Sequence, residues 1–250
     1  MRTGVSKCVL AFSLTLIACS SSVPNDTNDT SDTSDTSDTS DTISAFEEGG
    51  SWACAPKNAT DLPGVLYNHG GLGGAVGGDL EGTCRALAEA GYVGYAQKRR
   101  ETYSMEGHID DVYAGLDALQ NHPSVNASQI AIMGFSRGGL LTLQAAIERP
   151  TDFKAVVVMA PAPGAEGQFS SVLDSIHAVE APFLVLVAEN DTIQADHVEL
   201  VESLVEALDE ADKSVEYILY PPYGEDGHAL FFEVGDYWPD VTAFLSKTFE

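Results

Sequence analysis

From about residue 46 onward, short apolar runs alternate with longer stretches in which apolar residues recur at helical spacing. Such alternation is typical of an α/β protein, in which crossover helices join the strands of a mainly parallel sheet. The continuous apolar character of the runs suits strands that are buried on both faces. The predicted strands cover Ser51–Ala55, Gly64–Tyr67, Val93–Gln97, Ile130–Gly134, Ala155–Ala160, Phe183–Ala188 and Val215–Tyr220. The predicted helices cover Leu80–Ala90, Ile109–Gln120, Gly138–Glu148, Ala195–Glu210 and Tyr237–Lys247.

The first 18 residues have the pattern of an export signal. Two basic residues precede an apolar run, Val9–Ala18, that is too short for a membrane-spanning helix to be favoured. The run ends in Leu16-Ile17-Ala18-Cys19, which resembles the lipobox of bacterial lipoproteins and implies that Cys19 is lipidated and becomes the mature N-terminus. Ser20 after this cysteine resembles an outer-membrane sorting signal. Ordinary cleavage after Ala18 is the alternative.

Residues 19–45 are predicted to be a disordered acidic tether, followed by a folded domain at 46–250. Between residues 25 and 42, six consecutive triplets of Asn or Ser, Asp and Thr offer no apolar side chain to bury. We expect this segment to space the domain from the membrane. Calcium binding by the aspartates is a weaker alternative, because the glycines that shape calcium loops are missing.

The net charge and the positions of the cysteines limit which partners, disulfides and cofactors are expected. The formal net charge is −26, from 38 acidic and 12 basic residues, so nucleic acid is not expected as a partner. Cys8 lies in the export signal and Cys19 at the lipidation motif, which leaves Cys54 and Cys84 in the folded part. An oxidising compartment favours a disulfide between them, with two unrelated buried thiols as the alternative. No cysteine spacing typical of a metal site occurs, and neither a metal nor an organic cofactor is expected.

The segment Gly134-Phe135-Ser136-Arg137-Gly138-Gly139 lies directly between a predicted strand and a predicted helix. Small residues two before and two after the serine permit a sharp turn that exposes its hydroxyl, and the helix N-terminus favours developing negative charge there. This strand–turn–helix context is that of a nucleophile elbow. A structural glycine-rich turn without chemistry is the alternative.

Three motifs together resemble the α/β-hydrolases, in particular their dienelactone hydrolase-like and prolyl-oligopeptidase-like branches, over roughly residues 62–250. They are Tyr67-Asn68-His69-Gly70-Gly71, His108-Ile109-Asp110-Asp111-Val112 and Gly134 to Gly139. The resemblance implies a mostly parallel sheet with helices on both faces. Two features depart from these branches: dienelactone hydrolases proper have a cysteine at the position of Ser136, and the chain has no room for the oligopeptidase propeller.

A serine nucleophile requires a base, and in this fold the base follows an acid along the chain. The resemblance assigns the base to His228, which follows the last predicted strand. It assigns the acid to Asp191, after the strand Phe183–Ala188, with Glu189 and Asp196 as the reserve candidates. An exposed loop histidine and a helix-capping aspartate are the corresponding non-catalytic interpretations. The other histidines lie on or near predicted helices, before a strand or in the motif at residue 69.

The resemblance also implies an oxyanion hole made by the backbone amides of Gly71 and Arg137. A phosphate-binding loop is excluded at the glycines near residue 71, because no Gly-Lys-Ser/Thr ending follows them. Arg99 and Arg100 follow a predicted strand and are candidates for binding a substrate carboxylate, although surface ion pairs with Glu101 or another acid are the favoured interpretation. Residues 161–180 are too few for a large cap domain, so an open site is expected.

The function expected from these residues is hydrolysis of small carboxylic esters through an acyl-enzyme on Ser136. A serine peptidase or amidase of the same fold is the main alternative, because the same apparatus protonates either leaving group. A non-catalytic surface lipoprotein is the third.

Overall fold

The computed structural model describes residues 42–250, which form one sheet with helices packed against it. The strands are β1 (Ile43–Glu48), β2 (Ser51–Pro56), β3 (Leu62–Asn68), β4 (Val93–Gln97), β5 (Val125–Phe135), β6 (Ala155–Met159), β7 (Phe183–Ala188) and β8 (Val215–Tyr220). The helices are α1 (Leu80–Glu89), α2 (His108–Gln120), α3 (Arg137–Glu148), α4 (Gln168–Ser175), α5 (His197–Glu210) and α6 (Trp238–Phe249). Short 3₁₀ turns occupy Ile176–Ala178 and Gly227–Phe231.

The eight strands form a single sheet in the order β1-β2-β4-β3-β5-β6-β7-β8. The pairs β1–β2 and β2–β4 are antiparallel, and all the other neighbours run parallel. The predicted α/β class with a mostly parallel sheet is therefore confirmed. Because parallel strands end at the same edge of the sheet, the segments that follow β5, β7 and β8 all emerge on one side.

Helices cover both faces of the central strands. Every residue of β6 and β7 is buried, which requires packing on either side of the sheet. Helices α2, α3, α4 and α5 contact one another in that order and form one layer. On the other side, Tyr92 just after α1 packs against Phe249 of α6, with 5.9 Å between the ring centroids.

Two elements differ from the sequence expectation. Strand β1 begins at Ile43, so the folded domain starts about three residues before the predicted boundary at residue 46. Only Ile43 is buried in this edge strand, and its other residues, Phe46 among them, are exposed and form no continuous apolar run. Helix α4 and the turn after it lie within residues 161–180, where no helix was predicted. They are the only regular structure described between β6 and β7, which agrees with the absence of a large cap.

A disulfide joins Cys54 of β2 to Cys84 of α1, with 5.5 Å between the Cα atoms. Both residues are fully buried, so the bond lies inside the packing between this helix and the antiparallel edge of the sheet. The two cysteines are 30 residues apart in the chain. The bond therefore closes a loop that contains all of β3 and the glycine-rich segment after it.

The predicted export signal, the lipidation at Cys19 and nearly all of the predicted tether lie outside the described residues. Within residues 42–250, none of the helices has the length and apolar character needed to cross a membrane.

Candidate active site

Ser136 occupies the tight turn between β5 and α3, with φ +55° and ψ −120°. A non-glycine residue at positive φ is strained and persists only where the surroundings hold it. Here the backbone amide of Ser136 donates to the carbonyl of Met159 at 2.9 Å, and its own carbonyl accepts from Ala162 at 2.9 Å and Leu140 at 3.1 Å. These bonds to both neighbouring segments fix the turn that carries the serine.

The glycines on either side of Ser136 are required by close backbone packing. A Cβ atom at Gly134 would overlap the carbonyl oxygen of Gly138 and the hydroxyl of Thr142. A Cβ atom at Gly138 would overlap the carbonyl of Asn68 at the end of β3. The motif thus lets α3 begin directly against the sheet, as the nucleophile-elbow prediction requires.

Asp191 and His228 are in direct contact. The Nδ1 atom of His228 lies 2.9 Å and 3.0 Å from the two carboxylate oxygens of Asp191. Asp191 has no solvent exposure and His228 only 5%, so the pair is well shielded. With Nδ1–H donating to the carboxylate, Nε2 is the nitrogen left to accept a proton from another group. The two reserve acids are placed elsewhere: Glu189 is exposed, and Asp196 caps α5 by accepting from the amide of Glu199.

Ser136 and His228 line the same cavity, which has a volume of about 720 Å³ and opens at the carboxyl edge of the sheet. The two predicted oxyanion residues, Gly71 and Arg137, line it as well. The structure therefore brings the five predicted catalytic and oxyanion residues to one place, four on the cavity wall and Asp191 directly behind His228.

The loop that carries Gly71 is closed by two backbone bonds between Gly70 and Gly77, at 2.6 Å and 3.2 Å. Gly71 has φ +91°, and a Cβ atom there would overlap the carbonyl oxygen of Ala75. A glycine is therefore needed for both conformation and space. We call residues 70–77 the oxyanion loop below.

His69 is neutral and supports the backbone at the start of this loop. Its Nδ1 lies 2.5 Å from the carbonyl oxygen of Gly70, and its Nε2 accepts from the backbone amide of Arg99 at 3.2 Å. Burial, together with the nearby charge of Arg99, lowers the pKa of His69 to about 3. The ring is thus a neutral imidazole with its proton on Nδ1, and both nitrogens are used in supporting the backbone.

The two arginines proposed as substrate-binding candidates are held by protein groups, and neither lines the cavity. Arg99 is buried, and its guanidinium donates to the carbonyls of His69 and Gly70, the latter at 3.3 Å. Arg100 forms an ion pair with Asp111 at 2.7 Å, as the surface interpretation expects. For Arg99 that interpretation is wrong, since its partners are backbone carbonyls under the oxyanion loop. Glu101 pairs with Lys98 instead, at 2.8 Å.

His197 lies in the site, although its position on a predicted helix did not indicate this. Its ring centroid is 4.6 Å from that of His228, and its nitrogens lie 3.1 Å from the carbonyl of Pro161 and 2.9 Å from that of Ile193. Burial lowers the pKa of His197 in spite of the nearby carboxylate of Asp191. A neutral ring has one N–H and donates to only one of these two carbonyls, so its main contact in the site is packing against the imidazole of His228.

Asp226 is the second residue that sequence reasoning missed. One carboxylate oxygen accepts from the backbone amide of His228 at 2.9 Å, and the other accepts from Thr192. Burial alone would raise the pKa of Asp226, but these hydrogen bonds outweigh it and lower the pKa below its ordinary value. An aspartate directly before a short turn is a capping signal, which the sequence does contain.

Asp191, His197 and His228 could offer metal ligands, because one potential donor atom from each lies within 4.8 Å of the others. The Nδ1 atom of His228 is however already hydrogen-bonded to the carboxylate. A metal at this position would have to replace that hydrogen bond, so the arrangement fits proton transfer better than metal binding.

The model of the dienelactone hydrolase family matches residues 95–237, more than half of the chain. The chain therefore belongs to the dienelactone hydrolase family, and its fold is the α/β-hydrolase fold. A Bacillus subtilis protein named as the uncharacterized peptidase YtmA is 27% identical over 203 residues, covering 67% of this chain and 77% of the relative.

Solved structures share the fold at low sequence identity. A structure from a study of two Rhizomucor miehei esterases has a TM-score of 0.62 at 18% identity and covers 83% of each chain. The Porphyromonas gingivalis dipeptidyl peptidase 4 has a TM-score of 0.61 at 19% identity, covering 82% of this chain but only 35% of the peptidase. Hydrolases acting on esters and on peptides thus share the architecture described here.

Proposed function

We propose that this hydrolase cleaves carboxylic esters through an acyl-enzyme on Ser136, with His228 as general base and Asp191 as its orienting acid. The observation that carries the proposal is the buried hydrogen bond between Asp191 and His228, beside a strained serine that lines the same cavity. A serine hydroxyl is a weak nucleophile until a base removes its proton, and this arrangement supplies one.

In the proposed reaction, Nε2 of His228 takes the proton of the Ser136 hydroxyl as its oxygen attacks the ester carbonyl. Asp191 keeps the imidazole oriented and stabilises its cation. The negative charge on the tetrahedral intermediate faces the backbone amides of Gly71 and Arg137. His228 then returns the proton to the departing alcohol, and a water molecule repeats the sequence to release the acid.

The test combines covalent labelling with two classes of substrate. We expect the wild type to react with a fluorophosphonate and to hydrolyse nitrophenyl acyl esters faster than aminoacyl anilides. Ser136→Ala should lose the label and about a millionfold in turnover. His228→Ala should lose a comparable amount, and Asp191→Asn somewhat less. Matched controls are Ser203→Ala on the exposed side of α5 and His177→Ala on an exposed turn. More than a tenth of wild-type activity in Ser136→Ala would exclude the proposal.

Peptide or amide hydrolysis is the second candidate, supported by the naming of the Bacillus subtilis relative as a peptidase. Faster cleavage of aminoacyl anilides than of esters, with the same dependence on Ser136, would select it. No labelling by fluorophosphonate and no turnover of either substrate would instead support a non-catalytic surface protein.

We further propose that the protein is exported and anchored to the cell envelope through lipid on Cys19, and that its domain lies outside the cytoplasm. The support is the lipobox-like sequence that ends at Cys19, with the acidic triplet segment following at residues 25–42. Several acyl chains give stable attachment where one alone is marginal. Wild-type protein should enter the membrane fraction and carry acyl mass on Cys19, whereas Cys19→Ser should not. A mature N-terminus at any other residue would rule this out.

A further inference from the structure

The exposed apolar side chains of the described residues are concentrated at the mouth of the cavity. Eight large hydrophobic residues of the domain are markedly exposed, and five of these line the cavity. We call those five the apolar collar: Leu72, Val76, Tyr103, Ile193 and Phe232. Isolated exposed apolar residues are ordinary, but a group gathered around one opening marks a binding surface.

The collar draws residues from the oxyanion loop and from the segments that follow the proposed acid and the proposed base. Leu72 and Val76 belong to the oxyanion loop, and Ile193 lies two residues after the acid. The ring of Phe232 lies 6.3 Å from that of His228 and 5.4 Å from that of Phe135, between centroids. An apolar surface thus extends continuously from the proposed base to the solvent.

Tyr103 completes the collar beside the oxyanion loop. It is 76% exposed, and its ring lies over Gly73 of the oxyanion loop. The guanidinium of Arg137 donates to the backbone carbonyl of Tyr103 at 3.1 Å, which ties this wall to the residue after the nucleophile. The backbone of Tyr103 is therefore fixed by this bond, and its aromatic side chain lies at the opening of the cavity.

The charges at the cavity argue against an anionic substrate. Among the described residues that line it, Arg137 is the only lysine or arginine, and its side chain is engaged by Tyr103. Glu106 contributes a negative charge to the same wall, and the chain as a whole carries a formal charge of −26. One guanidinium N–H of Arg137 is held by a neutral carbonyl, and its charge is opposed by Glu106 and by the acidic chain, so a substrate carboxylate meets no net positive wall.

We infer that the preferred substrates are uncharged esters with an apolar chain of medium length, which extends from Ser136 along the wall and over the collar. This inference rests on the proposed esterase function. Each methylene that leaves water for an apolar wall favours binding, and the limit for complete burial is about fourfold in affinity per methylene. A half-open wall should give on the order of twofold to threefold per methylene.

The test uses two ester series with the full-length protein. One keeps the nitrophenyl leaving group and lengthens the acyl chain from acetate to octanoate; the other keeps butyrate and lengthens the alkyl chain. We expect kcat/KM to rise with chain length in at least one series. Tyr103→Ser combined with Phe232→Ser should flatten that rise, so that the ratio of kcat/KM on the octanoate to kcat/KM on the acetate falls toward one.

The matched control replaces two exposed apolar residues that do not line the cavity, Phe46→Ser and Leu219→Ser, which are 65% and 40% exposed. This variant should keep the wild-type chain-length profile. A second comparison sets nitrophenyl butyrate against the mono-nitrophenyl ester of succinate, which has the same number of acyl carbons. The succinate ester should be at least about tenfold poorer, and Glu106→Gln should narrow the gap.

The substrate inference and the proposed function are contradicted by different results. A wild type that is labelled by fluorophosphonate and hydrolyses the acetate, but shows flat profiles or prefers the succinate ester, overturns only the substrate inference. The same holds if the collar and control variants behave alike. A wild type that is neither labelled nor active on any ester overturns the proposed function itself.

Discussion

The carboxylate of Asp226 accepts two hydrogen bonds from Thr192, one from its hydroxyl at 3.0 Å and one from its backbone amide at 3.3 Å. Thr192 directly follows Asp191, and the other oxygen of Asp226 accepts from the amide of His228. One side chain thus joins the loop of the proposed acid to the turn of the proposed base. The bond from the amide of Gly227 to the carbonyl of Asn190, at 3.1 Å, reinforces the same junction.

We predict that Asp226→Ala lowers kcat by about tenfold to a hundredfold with little change in KM. The change releases the two loops, and small displacements of catalytic groups have effects of this size. Asp226→Asn keeps one accepting oxygen and should lose less. The control is Asp236→Ala, because Asp236 is exposed on the segment before α6 and does not line the cavity. Equal activity of the Asp226→Ala and Asp236→Ala variants would show that the junction does not position the pair.

A second prediction concerns the pH dependence of stability at His69. Burial and the charge of Arg99 lower the pKa of this histidine to about 3 in the folded protein, from an ordinary value of 6.5. A lowered folded pKa means that the unfolded chain binds the proton first, so this stabilising contribution is present above pH 6.5 and is lost as the pH falls toward 3. Across that window the slope approaches about 1.4 kcal/mol per pH unit.

The measurement is urea unfolding of wild type and His69→Gln at pH values between 7 and 4.5. The wild type should lose stability more steeply than the variant as the pH falls. Other buried histidines contribute equally to both proteins, so the difference in slope reports on His69 alone. His177→Gln, at an exposed position, should retain the wild-type slope. Parallel slopes for wild type and His69→Gln would contradict the assignment of a neutral, buried ring.

A third prediction follows from the bond between Cys54 and Cys84. In the chain-entropy model, a disulfide that closes a loop of 30 residues stabilises the folded protein by roughly 3 to 4 kcal/mol. Exported protein should therefore take up no alkylating reagent at these cysteines without prior reduction. Cys54→Ala combined with Cys84→Ala should unfold at lower denaturant than oxidised wild type and respond no further to reductant. Two alkylated thiols in unreduced protein would show that the pair is free.

The parts of the fold that the sequence predicted are those in which burial leaves an apolar pattern. β6 and β7 are buried at every residue and were readily recognised. Strand β1 was missed because only one of its six residues is buried. Helix α4 has eight residues, of which only Phe169 and Val172 are buried, so its pattern is too short to distinguish from a loop.

In the active site, too, local sequence patterns were predictable and contacts between distant segments were not. Ser136 was recognisable because its elbow is a local arrangement of strand, turn and helix, and its partners follow in a fixed chain order. The positions of His197 and Asp226 depend on contacts with Pro161 and Thr192, which lie 36 and 34 residues away in the chain. Arg99 was misread for this reason too, since nothing near it in the sequence shows that backbone carbonyls would receive its guanidinium.

A fourth prediction concerns Gly71 in the oxyanion loop, with Gly91 as a control for backbone strain. Gly71 and Gly91 have nearly identical positive φ angles, +91° and +93°. The backbone strain of an alanine at either position should lower the free energy of unfolding by a similar amount, about 1–2 kcal/mol. A Cβ atom at Gly91 meets nothing within 4 Å, whereas at Gly71 it overlaps the carbonyl of Ala75 and must displace the loop.

We therefore expect Gly91→Ala to lose some stability and keep its catalytic constants. Gly71→Ala should lose more stability and also lower kcat by about a hundredfold, the effect typical of a misplaced oxyanion donor. Its reaction with fluorophosphonate should slow in proportion, because the same donor stabilises that addition, while KM for nitrophenyl butyrate stays nearly constant. If the two variants lost stability equally and both kept wild-type turnover, Gly71 would be a turn residue without a role at the reacting carbonyl.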